Sequence, residues 1–121
     1  MPTRPFVRND LNAPNVVIWT WSGLLVSDDG QPAEIIYGQG RIWVQVSGTA
    51  GSGGAVVIEG SITGANYGTL NTEGGGAASF SNLGGAALRG TPFLIRPRVS
   101  AGDSNTNFTV HIAYLGAKLP G

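Results

Sequence analysis

Residues 41–70 read RIWVQVSGTAGSGGAVVIEGSITGANYGTL, and this stretch decides the fold class. Over residues 41–47 polar and apolar residues alternate, which is typical of a half-buried β-strand. The apolar members, expected to face inward, are Ile42, Val44 and Val46. Residues 55–61 form a second β-type run. The glycine-rich segment 48–54 between the two runs predicts that they pair as a hairpin with a flexible tip.

The residues after this hairpin are typical of a tight corner. Gly60 and Gly64 permit backbone angles that side chains disfavour, and Asn66 can bond its own backbone in an Asx turn. Tyr67 and Leu70 are expected to return to the core.

The first half of the chain contains other β-type runs. Residues 16–21 are β-branched or aromatic and predict a strand that is apolar on both faces. Residues 24–27 continue as a short strand, which the Asp-Asp-Gly at 28–30 ends in a turn. Residues 31–37 are expected to return as its hairpin partner.

In the second half, strands are predicted at 78–82, 93–100 and 107–115, with a break at 84–87. Pro97 inside one of them indicates an edge strand or a bulge. Roughly seven to nine short strands at this spacing, without an amphipathic helix, predict an all-β fold. We expect an antiparallel, jelly-roll-like β-sandwich.

The N-terminus differs from the rest of the chain. Residues 1–14 contain three prolines and no periodic pattern, which predicts an extended arm ahead of a β-sandwich domain at 15–121. Phe6, Val7 and Leu11 could anchor this arm on a neighbouring surface. The alternative is a frayed terminus.

Charged residues make up 12% of the chain, and the formal net charge is zero. Soluble proteins usually contain about 25% charged residues, so we expect partner chains to cover part of the surface. Six of the seven cationic residues are arginine, which interfaces favour over lysine, although codon usage in a GC-rich genome would have the same effect. Since there is neither a basic cluster nor an apolar run of roughly 20 residues, we expect no nucleic acid or membrane partner.

Titratable groups are few: one histidine, seven carboxylates and no cysteine. His111 falls mid-strand and no nucleophile elbow accompanies it, while Asp28 and Asp29 fit a turn better than a calcium site. The glycine-rich loops lack the Lys-Ser/Thr ending of a phosphate cradle. We therefore expect no enzyme activity, no metal and no cofactor.

Two segments carry a family resemblance. VVIEGSITGANYGTL at 56–70 and FLIRPRVSAG at 93–102 resemble small tailed-bacteriophage virion proteins of the head decoration, or cement, type. Those proteins often have a strand followed by Gly-Ser-x-Asp-Gly-x-Asn-Trp-x-x-Leu and then Arg-Pro-x-Val-Ser-x-Gly. In this chain Thr63 replaces the aspartate and Tyr67 replaces the tryptophan.

The resemblance implies a homotrimer on the virion surface that binds the major capsid protein lattice and stabilises the head. The residues that we expect to contact the capsid or another subunit are Arg4, Phe6, Val7, Arg8, Leu11, Trp21 and Trp43. The alternative is a glycan-binding module of a phage head or tail fibre, because an exposed Trp43 or Tyr67 could stack on sugar rings.

Overall fold

The computed structural model describes residues 3–9, 16–35, 41–81, 84–89 and 92–115. In these ranges the regular structure is entirely β. The strands are β1 (Thr3–Arg4), β2 (Phe6–Asn9), β3 (Val16–Leu24), β4 (Asp29–Gly30), β5 (Ala33–Glu34), β6 (Arg41–Thr49), β7 (Ala55–Ser61), β8 (Gly68–Thr69), β9 (Ser79–Phe80), β10 (Gly84–Ala87), β11 (Leu94–Ala101) and β12 (Asn107–Leu115). None of the described residues belongs to a helix that could span a membrane.

The strands form two sheets. The five-stranded sheet has the order β10-β6-β12-β3-β2 and is antiparallel throughout. The seven-stranded sheet has the order β1-β4-β11-β7-β8, with β5 also paired to β11 and β9 to β7. Its β1–β4 pair is parallel, and the other pairs are antiparallel. The predicted all-β sandwich is confirmed.

The two sheets bury one apolar core between them. On the long strands every second side chain faces this core, as the alternation predicts. The inward residues of β6, β12, β7 and β11 are Ile42, Val44, Val46, Phe108, Val110, Ile112, Tyr114, Val56, Ile58, Ile95 and Val99. Full burial of such an aliphatic or aromatic side chain contributes about 1.5–3 kcal/mol, so these rows hold the sheets together.

The predicted hairpin of β6 and β7 is wrong. β6 pairs with β10 and β12, whereas β7 pairs with β11, β8 and β9 in the other sheet. The glycine-rich segment at 50–54 is therefore a connection between the sheets. Alternation along a strand identifies its buried face, but it does not identify the neighbouring strand.

This connection is tied to the turn that precedes β12. The Asp103 carboxylate accepts hydrogen bonds from the backbone N–H groups of Ser52 (3.0 Å) and Asn105 (2.9 Å). The Thr106 hydroxyl donates to the Ala50 carbonyl at 2.7 Å. The backbone bonds from Ser52 and then Asn105 lower the pKa of Asp103, because they stabilise its charged form.

Two other segments also differ from the sequence-based predictions. The turn after β3 lies at residues 25–28, earlier than predicted, and β5 pairs with β11 rather than returning along β3. Residues 84–87, predicted as a break, form β10 beside β6. Glycine and alanine have little intrinsic β preference, so pairing with β6 determines this strand.

Pro97 lies within β11 at a gap in the ladder. Val99 N–H donates to the Asp28 carbonyl, and the Phe93 carbonyl accepts from Ile35 N–H. Alternate backbone groups along β11 therefore point toward the edge that pairs with β4 and β5. Pro97 falls between these two bonds, after the pairing with β5 ends and before that with β4 begins. The ladder has no need of a donor at that point, which accommodates the proline.

The corner after β7 is held by a serine. The Ser61 hydroxyl accepts hydrogen bonds from two following N–H groups, including that of Gly64 at 2.9 Å. Gly64 has a φ of 82°, a backbone angle that side chains disfavour, as predicted for this glycine. Tyr67 does not enter the core, because its ring lies against the Arg96 guanidinium, 3.8 Å from the ring centroid. Leu70 does pack against the core.

We expect Asp103→Asn to destabilise the protein at neutral pH, with a loss that fades in acid. The folded-state pKa lies below 3.8, so the carboxylate stabilises the fold above that value and stops doing so as the pH falls through the folded-state pKa. Urea unfolding at pH 7 and at about pH 2 measures the effect. The control is Glu73→Gln in an exposed loop. A loss of equal size at both pH values would contradict the role of Asp103.

Candidate functional site

The described residues of the predicted N-terminal arm are integrated into both sheets. β1 pairs with β4 of the seven-stranded sheet, and β2 pairs with β3 of the five-stranded sheet. Pro5 separates the two strands and marks the passage between the sheets. Residues 3–9 therefore differ from a free arm, because their backbone groups pair with strands of the same chain. The predicted contact residue Leu11 lies outside the described residues.

Arg4, predicted as a contact residue, is bound within the chain. Its Nε donates to the buried Asp28 carboxylate at 2.7 Å, and the same oxygen accepts from Leu25 N–H at 2.9 Å. Thr3 donates to Asp29 at 3.0 Å. A buried carboxylate is costly without such partners, so these bonds fix β1 to the turn at 25–28.

Phe6 and Trp21 pack against each other in the part of the core beneath the edge strand β2. Their ring centroids are 5.6 Å apart with an interplanar angle of 68°. Trp21 is 0% exposed, and its Nε1 donates to the Gln31 carbonyl at 3.0 Å. Trp21 is therefore a core residue with no surface for a partner, which corrects its prediction as a contact residue. Phe6 is partly buried against the same core.

Val7 and Trp43 share the face of the five-stranded sheet that points away from the core, here called the outer face. Val7 is 70% exposed and Trp43 is 44% exposed. The register aligns the outward residues in rows across the strands. One row is Val7, Thr20, His111, Gln45 and Gly85, and the next contains Ile18, Ala113, Trp43 and Ala87. Arg8 is also exposed, but it lies on the opposite side of β2, together with Phe6 and Trp19.

Charge is distributed unequally between the two sheets. Among the described side chains of the outer face, Arg41 at one end is the one charged residue, and His111 near the middle is the one other titratable group. The corresponding face of the seven-stranded sheet holds Glu59 between Arg96 (3.1 Å) and Arg98 (2.9 Å). The outer face is thus the less charged of the two.

Trp43 lines two open depressions. The first has a volume of about 570 Å³ and is lined by Trp43, Gln45, Val46, Ser47, Gly84 and Gly85. The second has a volume of about 240 Å³ and is lined by Ile18, Trp43, Gln45, His111 and Ala113. The indole leans over β10, since a Cβ built on Gly85 would lie 3.2 Å from Trp43 Nε1 and Cζ2. His111 Nδ1 is 3.0 Å from the Thr20 hydroxyl.

Sequence reasoning placed Trp43 and Gln45 on one face but did not identify the residues around them. Gly85 comes from a segment predicted as a break, and His111 from a strand that the sequence did not pair with β6. The available signal was the matching outward alternation of residues 41–47 and 107–113. Only the register shows that these rows adjoin.

Comparisons with known proteins bear on the fold alone. No family model matches this chain, and neither does any curated protein sequence. The structure resembles that of YomS, an SPBc2 prophage-derived protein, with a TM-score of 0.59 at 10% identity, covering 84% of this chain and 95% of YomS. An RmlC-like cupin family protein with a double-stranded β-helix fold from Methanocaldococcus jannaschii aligns with a TM-score of 0.48 at 10% identity, covering 93% and 82%.

We expect Arg4→Ala to lower the free energy of unfolding by about 1–3 kcal/mol, because it removes a charged hydrogen-bond donor from the buried Asp28. Chemical denaturation is the measurement. Thr3→Ala is the matched control: it removes an exposed hydrogen bond from the same strand, so its cost should be smaller. Equal costs for the two variants would show that the Arg4–Asp28 pair does not anchor β1.

Proposed function

We propose that this chain is a structural protein of a bacteriophage particle, which binds the outer surface of the major capsid protein lattice and stabilises the head. The observation that carries this proposal is the almost uncharged outer face, with Val7 70% exposed on the edge strand β2. Interface cores are depleted in charged residues, so a nearly uncharged sheet face with an exposed apolar side chain fits such a contact.

Two further observations support the proposal. The segments that resemble head decoration proteins form β7 and β11, which pair along their lengths from Ala55 to Ser61 and from Leu94 to Ala101. The family-like motifs therefore form one structural unit. The fold is also shared with YomS, whose origin is a prophage.

The proposed lattice contact is the N-terminal edge, defined by β1 and β2 at residues 3–9. This edge belongs to both sheets, so a partner bound there touches the whole sandwich. Val7 offers apolar area on one side of β2, and Arg8 is exposed on the other side. Because β2 is the last strand of its sheet, a capsid segment could also add to it as a further strand. The role requires buried area and needs no catalytic chemistry.

A homotrimer is part of the proposal. Closed symmetry would cover further surface of a chain with 12% charged residues. Each lattice contact would then act three times, so modest individual contacts would give firm attachment. Size-exclusion chromatography with light scattering measures the state in solution.

We expect Val7→Asp to weaken binding to purified capsids about tenfold or more, because it places a charge in the apolar contact. Co-sedimentation of the chain with capsids over a concentration series is the measurement. Ser100→Asp, an exposed position on the seven-stranded sheet, is the matched control and should bind as the unmodified chain does. Undiminished binding of Val7→Asp would refute the assignment of the contact, and no binding of the unmodified chain would refute the proposed function.

A further inference from the structure

We infer that Trp43 and the two depressions beside it form a binding site for an uncharged saccharide. The inference goes beyond the proposed role in the capsid, because it concerns a different part of the outer face. Val7 lies on β2 and Gln45 on β6, three strands apart in the same row. At the usual strand spacing this separation is about 14 Å, so a ligand at Trp43 and a partner at Val7 can bind independently.

Trp43 provides a platform on which a sugar ring can stack. Its side chain is 44% exposed, whereas Trp19 and Trp21 are 2% and 0% exposed. An indole face is a large apolar surface with a negative quadrupole, and the C–H groups on one face of a sugar ring match it in shape and polarity. The indole is also held in place, because it leans over Gly85.

Uncharged polar groups lie beside this platform. Gln45 borders both depressions, Ser47 borders the first and His111 the second. An amide, a hydroxyl and an imidazole each offer donors and acceptors, as sugar hydroxyl groups do. Since Nδ1 of His111 is engaged by Thr20, Nε2 is the ring nitrogen available to a ligand.

The described lining of the two depressions lacks charge. Neither depression is lined by an aspartate, glutamate, lysine or arginine among the described residues. A phosphate, an acidic sugar or a nucleic acid needs a cation for firm binding, and a cationic ligand needs a carboxylate. A ligand that combines apolar faces with uncharged hydroxyl groups fits this lining, and that combination is the chemistry of a neutral saccharide.

The size of the two depressions also fits a saccharide. Trp43 and Gln45 line both depressions, whose volumes are about 570 and 240 Å³. Ligand sites in proteins generally measure about 300–1,000 Å³, so the pair has room for more than one sugar unit. An oligosaccharide can therefore cross the indole, with one unit stacked on the ring and its neighbours in the depressions.

Tryptophan fluorescence tests the inference directly, because Trp43 is the exposed tryptophan of the three. The probes are cellotetraose, maltotetraose and tetra-N-acetylchitotetraose, with tetragalacturonate as the acidic comparison. We expect at least one neutral probe to change the emission saturably and to protect it from acrylamide quenching, while tetragalacturonate binds at least about tenfold more weakly. No saturable change with any neutral probe, or equal binding of the acidic one, would overturn the inference.

Calorimetric titration of variants locates the site. Trp43→Ala should weaken binding about tenfold or more, and Trp43→Phe, which keeps a smaller ring, should weaken it less. Gly85→Ala should also reduce affinity, since its Cβ would lie 3.2 Å from the indole and crowd the ring. Val7→Asp should bind the saccharide normally, which separates this site from the proposed capsid contact. Circular dichroism checks that the Trp43→Ala variant is folded. If the folded variant bound the saccharide with unchanged affinity, the assignment would be overturned.

Discussion

The packing around the Trp21 indole is the interaction on which the rest of the structure depends. Trp21 belongs to the five-stranded sheet, yet its Nε1 donates to the Gln31 carbonyl in the connection between β4 and β5 of the other sheet. A Cβ on Gly30 would lie 2.6 Å from both Trp21 Nε1 and Pro97 Cδ, so only glycine fits there. Phe6 completes the contact with its ring edge. One side chain therefore contacts both sheets and the N-terminal strand β2.

With the inward rows committed to the core, the two outward faces are free to take different chemistry. On the seven-stranded sheet, Glu59 is buried between two arginines, one of which stacks on Tyr67. Glu59 and the two arginines are therefore paired within the chain. The outer face of the five-stranded sheet contains mostly small, apolar or uncharged groups, with Val7 and Trp43 exposed. The proposed capsid contact and the proposed saccharide site both follow from this division.

The sequence predicted what depends on local periodicity and failed where distant residues decide. Alternation gave the buried faces of β6, β7, β11 and β12, because a period of two is a property of each strand alone. It could not show that β6 and β7 lie in different sheets, or that Gly84–Ala87 forms a strand, since those outcomes depend on partners far along the chain. Arg4 was predicted as a contact residue, and its partner Asp28 could not be identified because it is 24 residues away. Trp43 was placed on the correct face, but its neighbours Gly85 and His111 required the register.

The central claim is that the N-terminal edge of the sandwich seats this chain on a capsid. Cryo-electron microscopy of purified capsids incubated with the chain tests it most directly. The account predicts copies on the outer capsid surface, with residues 3–9 and the exposed Val7 side chain against the major capsid protein. Particles that lack the chain, or copies whose Val7 edge faces solvent while another surface meets the capsid, would contradict it.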